Sequence, residues 1–344
     1  MAQNGGIRGP GQTFTSITTP KRSNVSEQQQ LKSAGNWPGV TAYQNYITPG
    51  TYTFSAPISG AISYMAIGGG GGSSRGINGD GGGGGGGGGG CIYASGVAVS
   101  QGDILTIVVG AGGTATTTFG VDGNPGGNSS VTLTQAGKTN FVITAEGGPG
   151  GKVYNGGITG QANSSVTASF NNGTVAGGTA KTIGQYAGGA GGGAYNGGGG
   201  GGGAASAGGV GGGGVGAIAG AYYTGIPASP GSTGGQGGAA NGTAGAPSGG
   251  GGAGGAGQTD TTGGGGGGGY TYSASAPTTA GSAGNGLQTA GSKGGDGGFP
   301  GGGGGGPFDT GYGIASVGGN GFVRIVWGTN ASGARSFPTN ALDV

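Results

Sequence analysis

Residues 81–99 read GGGGGGGGGGCIYASGVAV, ten glycines running directly into an alternating apolar stretch. Glycine gives up more backbone freedom on folding than any other residue, and inside a helix or strand it costs about 0.5–1 kcal/mol relative to alanine. It brings no side chain to bury. Glycine-rich sequence without a strict period therefore defaults to a flexible linker. If the run is ordered, each of its N–H and C=O groups needs a partner. A helix is disfavoured, because glycine is the poorest helix former after proline. A sheet gains nothing from packing where there are no side chains. The remaining regular option is an extended left-handed helix of three residues per turn, whose polar groups all point sideways. Without Cβ atoms such helices can lie close together and bond laterally. The run 81–90 is thus expected to be one rod, roughly 30 Å long at about 3.1 Å per residue, in a bundle of polyglycine-II helices. Shorter runs at 68–72, 197–203, 211–214, 263–269 and 301–306 are expected to join it.

Composition narrows the class. The chain has 344 residues, of which 109 are Gly and 6% are charged. Glycine near one third suggests collagen, but a strict triplet period along the chain is missing and there are only 14 Pro. A net charge of +2 is too small to hold the chain open by repulsion. There is no His and a single Cys, Cys91. That excludes an internal disulfide framework and leaves no His/Cys zinc site. Cys91 stands just before an apolar stretch and reads as a small buried hydrophobe. No apolar h-region is visible in residues 1–22, so no secretory leader is expected. No apolar stretch approaches 18 residues, so no membrane insertion is expected.

Residues 1–48 are the one section neither glycine-dominated nor β-patterned. They carry four of the eleven basic residues, Arg8, Lys21, Arg22 and Lys32, against Glu27 alone. Ser26 suits the N-cap of a short helix over 26–33, but one apolar residue, Leu31, is too few to hold it. The section reads as an arm that orders on a partner, with a solvated tail as the plain alternative. Its basic residues are scattered and match no nucleic-acid motif, so no nucleic-acid partner is expected.

From 49 to 68 the pattern becomes β. A Pro49-Gly50 turn leads into a short strand at 52–54. Over 61–67, Ile62 and Tyr64 fall on one face and Met65 and Ile67 on the other. Strands are expected at 92–99 and 103–109, joined by a hairpin at Ser100-Gln101-Gly102. Others are expected at 130–133, 141–145 and, far away in sequence, 322–327. The fold class is therefore all-β with almost no helix: a short-stranded antiparallel sandwich, jelly-roll-like, spanning 49–328. The last strand has no apolar partner nearby in sequence, so it is expected in one sheet with the first strands. The glycine-rich regions 68–90 and 147–320 then form a long insertion, and 329–344 is a polar tail that docks on a neighbour or is solvated.

Between the glycine runs lie inserts at 152–186, 215–233, 270–293 and 307–317, which are natural turns for rods that reverse. They hold Tyr154, Tyr186, Tyr222, Tyr223, Tyr270, Tyr272, Phe308 and Tyr312. Tyr offers contact area at low entropy cost, with Ser, Gly and Asn as adaptable hydrogen-bonding neighbours. These eight are the candidate binding residues; the plain alternative is that each covers an edge of the bundle. No catalytic signature survives. Ser-His-Asp and Cys-His arrangements need a His. Gly137-Lys138-Thr139 resembles the end of a phosphate loop, but the required earlier glycine is Thr132. Nine carboxylates are thinly spread, and Asp103 and Asp122 read as turn residues. The chain is expected not to be an enzyme and to need no cofactor or metal.

Glycine runs separated by variable inserts, over about 147–320, resemble the distal tail-fibre adhesins of T-even-like bacteriophages. In that family polyglycine-II helices form a sandwich whose loops contact bacterial outer-membrane receptors. The order YTFSAPISGAISYMAIGGGGG, GDILTIVVGAGG, GGNSSV is similar to glycine-rich virion proteins of marine phages. The ending FVRIVWGTNASGARSFPTN is similar to the close of cyanophage-like fibre and structural proteins. The resemblance implies a virion protein. Residues 1–48 would attach it to other virion proteins, and its aromatic loops would meet a host glycan or outer-membrane protein. By family analogy it implies a homotrimer, for which no heptad pattern speaks. Strands flank the glycine region here, which keeps open a purely structural capsid-surface, head-fibre or baseplate role. An ice-binding or silk-like role is the third reading, and irregular run lengths argue against it.

Overall fold

The computed structural model describes residues 43–76, 82–137, 139–153, 169–171, 182–186, 188, 294–307, 314–330 and 333–337. The described residues are all-β, with no helix among them. In chain order the strands are β1 (Tyr43–Tyr46), β2 (Gly50–Ser55), β3 (Gly60–Ile67), β4 (Cys91–Val99), β5 (Ile104–Val109) and β6 (Ser129–Thr134). They continue with β7 (Phe141–Ala145), β8 (Ser169–Asn171), β9 (Thr182–Tyr186), β10 (Phe322–Trp327) and the two-residue pair β11 (Thr329–Asn330) and β12 (Gly333–Ala334). Two five-stranded antiparallel sheets form, in the orders β1-β10-β3-β4-β9 and β2-β5-β6-β7-β8. The last long strand, β10, lies between β1 and β3. The early strands and the late one do share a sheet.

Alternation explains how the two sheets meet. Ile62, Tyr64 and Ala66 of β3 point into the same core as Leu105 and Ile107 of β5 and Phe141 and Ile143 of β7. Phe54 and Trp327 meet there with ring centroids 5.4 Å apart. The other side of β3 carries Met65 and Ile67, which join Cys91, Phe322 and Val326 in a second buried cluster. The first sheet is therefore covered on both faces, which is why all six residues of FVRIVW are buried. Part of the cover is the chain beyond 329. Phe337 donates its N–H to Ser95 Oγ at 2.8 Å, and its ring lies 6.1 Å from that of Tyr93. The described part of the tail thus packs on its own chain.

Arg324, fully buried, projects into this covered face. Its guanidinium lies 4.2 Å from the Tyr43 ring centroid and donates to Asn45 Oδ1 at 3.1 Å. Both partners belong to β1, a strand inside the section expected to be an arm that orders on a partner.

Three further expectations are corrected. The turn at Ser100-Gln101-Gly102 is tight, with Asp103 Oδ2 accepting from Ser100 N–H at 2.8 Å and Gly102 at φ +90°. It does not close a hairpin, because β4 and β5 lie in different sheets. Val97, Val99, Leu105 and Val109 belong to the one shared core, but β5 pairs with β2 and β6 and β4 with β3 and β9. Residues 182–186, expected in a turn-forming insert, are strand β9, paired with β4. β8, inside the same insert, pairs with β7.

Candidate functional site

The strands leave the sheets at one end. β3 ends at Ile67 and β4 begins at Cys91, and these two residues face each other. Phe322 also faces Ile67, and Ser129 faces Ala145. Beyond these positions the chain continues as glycine-rich segments 68–76, 82–90, 110–128, 146–153 and 314–321.

Their hydrogen bonds repeat every third residue. Gly68, Gly71 and Ser74 donate to Gly90, Gly87 and Gly84. Gly69, Gly72 and Arg75 donate to Gly127, Asn124 and Val121. Gly70 and Ser73 donate to Gly319 and Ser316. In the other direction, Gly148 and Gly151 donate to Gly69 and Gly72, Gly113 to Gly70, and Gly304 to Gly71. Segment 68–75 thus has six described neighbours. Descending register marks three as antiparallel, and these accept its N–H groups. The other three run parallel and donate to its carbonyls. Consecutive neighbours are also bonded to one another, as in Gly86 to Gly304, Gly318 to Gly113, Gly127 to Ala111, Gly126 to Gly148 and Gly87 to Pro149. The ring is closed.

Glycine is required at the centre for space. A Cβ on Gly68, Gly69, Gly70, Gly71 or Gly72 would lie less than 3.0 Å from the carbonyl oxygen of Glu146, Ala111, Gly302, Pro149 or Thr114 respectively. Where glycine gives way, hydroxyls take part in the backbone's bonding. Ser74 Oγ accepts from Gly84 N–H at 2.8 Å and donates to Lys152 O at 2.9 Å. Ser73 Oγ accepts from Ser316 N–H at 2.8 Å.

The far end, away from the sheets, is where a surface can be presented. There Arg75 stacks on Phe119, its Cζ 3.6 Å from the ring centroid, and its Nη1 donates to Thr117 O. Val121, bridged to Arg75, is exposed at 43%, and Ile314, at the start of segment 314–321, at 52%. Lys152 and Asp122 form an ion pair at 2.8 Å, and Val153 N–H donates to Asp122 Oδ1 at 2.9 Å. Partial burial alone would raise the Asp122 pKa; the bonds from Lys152 and Val153, with the Lys152 charge, outweigh it and hold the carboxyl below its usual value.

No protein-family model matches the chain, and no curated protein does.

Of the eight candidate residues, Tyr154, Tyr222, Tyr223, Tyr270, Tyr272, Phe308 and Tyr312 lie outside the described residues. Three of them adjoin the far end in sequence, because Val153 and Pro307 reach it and Ile314 starts from it. Tyr186 does not belong with them. It closes β9 opposite Cys91, at the junction of sheet and glycine segments. Arg75, Phe119, Val121 and Ile314 were not singled out by the sequence reading. The signal that finds them is their place at the ends of glycine segments rather than in an aromatic-rich insert.

The described residues show little reactive chemistry. No group of three His, Cys, Asp or Glu among them could hold a metal. Cys91 is fully buried and burial drives its thiol pKa far up, which removes the thiolate a nucleophile needs.

Proposed function

We propose that this chain is a non-enzymatic bacteriophage virion protein of the tail-fibre adhesin type. Its two facing sheets act as the anchor, jelly-roll-like in bringing early and late strands side by side. The glycine segments are read as a polyglycine-II bundle, and the support is the three-residue period of their hydrogen bonds. At the rise of such a helix, segment 68–75 carries the far end roughly 25 Å from the sheets. The observation that carries the reading is directional. Strands of both sheets enter the bundle at one end, and the segments ending at Gly76, Val153 and Pro307 reach the other, while the turn at Phe299–Gly301 stays at the sheet end against Phe322. In this reading Tyr154, Phe308 and Tyr312, close in sequence to Val153, Pro307 and Ile314, meet a glycan or outer-membrane protein of the host. Residues 1–42 attach the chain to other virion proteins.

Tyr154→Ala, Phe308→Ala and Tyr312→Ala, combined in one phage, should abolish adsorption while particles assemble normally. Tyr186→Ala should adsorb like wild type. Normal adsorption by the triple variant overturns the receptor-contact part and leaves a capsid-surface, head-fibre or baseplate decoration role.

A further inference from the structure

A lattice held by lateral backbone bonds has no inherent outer limit, since any glycine rod at its edge can accept another. The exposure pattern points to how this one stops. Along 314–320, Ile314, Val317 and Asn320 are exposed while Ala315, Ser316, Gly318 and Gly319 are buried. The same spacing recurs with Ala111, Thr114 and Thr117, and again with Asp122, Pro125 and Asn128, all exposed, although Val121 and Asn124 are exposed in that segment too. In 146–152 Lys152 is exposed, Glu146, Gly147 and Pro149 are partly buried, and Gly148, Gly150 and Gly151 are buried. Locally the sequence is a triplet of one side chain and two small residues, clearest in EGGPGGK. The interior segments 68–72 and 82–90 are glycine throughout and buried throughout.

The hydrogen-bond register sets these outward residues side by side. Gly123 donates to Gly151 and Gly126 to Gly148, which brings Asp122 beside Lys152 and Pro125 beside Pro149. The Asp122–Lys152 ion pair is one such row. Asn124 Nδ2 bonded to Thr114 Oγ1 at 3.0 Å links two neighbouring segments in the same way.

Each buried rod contact places a carbonyl oxygen where a glycine Cβ would stand. Small Ser73, Ser74 and Ser316 are accommodated where their hydroxyls join the bonding, but a bulkier outward side chain has no such place and hinders a further rod. Proline adds a second block, because it has no N–H to give to a neighbour and its fixed φ suits an extended helix.

We infer that the outward third of segments 110–128, 146–152 and 314–320 is a lattice-terminating face, built to exclude the glycine rods of a second copy of this chain. It does for stacked glycine helices what edge prolines and charges do for β-sheets. The inference stands on exposure, Cβ contacts and bonding register and not on a role in a virion, so its failure leaves the virion reading untouched.

The test compares two full-length variants with wild type by sedimentation velocity over a concentration series. P125G/N128G/P149G/K152G should acquire a larger, concentration-dependent species, a rise of about two-fold or more in weight-average mass, as expected for at least a dimer. P125A/P149A keeps each Cβ and should sediment as wild type. Unchanged mass in the four-glycine variant overturns the inference, and so does association of the alanine variant. Loss of the near-ultraviolet dichroism of the sheet core in the four-glycine variant overturns it as well, since the bonds these side chains make, Asn128 Oδ1 from Gly147 N–H and Lys152 to Asp122, lie at the bundle surface and not in the sheet core.

Discussion

The two sheets and the glycine segments are held together by opposite means. In the sheets, side chains such as Ile107, Phe141 and Trp327 fill a shared interior, and backbone bonds set the register. In the glycine segments the backbones themselves are the interior. One region fails when volume is removed, the other when volume is added. The closest point of comparison is β3 and the segment that follows it, where Met65 and Ile67 are buried for their bulk and Gly68 to Gly72 are buried for having none.

That contrast can be broken at several levels. Gly71→Val should be the most damaging change. It must part the central segment from Pro149, so its cost exceeds the roughly 1–3 kcal/mol of ordinary overpacking, and little folded protein should be recovered. Denaturant stability equal to wild type would show that the segments are not close-packed. Phe141→Ala in the sheet core should cost about 3–5 kcal/mol through transfer and cavity terms, read as a lowered midpoint in urea. Ser74→Ala tests the intermediate case, a polar bridge inside the lattice. It strands Gly84 N–H and Lys152 O and should cost about 1–3 kcal/mol, with faster amide exchange at Gly84.

The smallest effect is expected at the surface. Asp122→Asn should change stability by about 0–1 kcal/mol, as exposed ion pairs do. Because Asp122 titrates below its usual range, its contribution is present above about pH 4. It fades as pH falls through the depressed value. Wild type should therefore lose a little more stability on acidification than Asp122→Asn does. Equal acid sensitivity would show that the pair with Lys152 does not form in solution.

The β framework was legible wherever apolar residues alternate over several positions. The strand at 61–67 announced both faces, and the structure buries both. β1 was missed because YQNY is four residues long and mostly polar; its place comes from Arg324 reaching Tyr43 and Asn45. The turn at Ser100–Gly102 was placed correctly but its partners were not. Local alternation states which side chains go inward, not which sheet receives them. In the glycine segments the opposite happened. The absence of a chain-wide triplet concealed a local one, visible in EGGPGGK and VGGN, that separates outer rods from inner ones. Most of the candidate aromatic residues fall outside the described residues, and Tyr186 illustrates the difficulty of the rest. An aromatic residue in a polar insert looks the same in sequence whether it ends a strand or crowns a loop.

The closed ring around segment 68–75 also has a bearing on the order of events during synthesis. Two of its six sides come from 301–305 and 316–319, and the neighbouring sheet waits for β10 at Phe322–Trp327. A ribosome has released residue 68 long before those partners exist. The central rod must therefore stay unclosed, with its donors and acceptors satisfied by water, until Trp327 has left the ribosome. Contacts of such long sequence separation form slowly, and nascent chains crowded on one message would present unfinished glycine rods to each other.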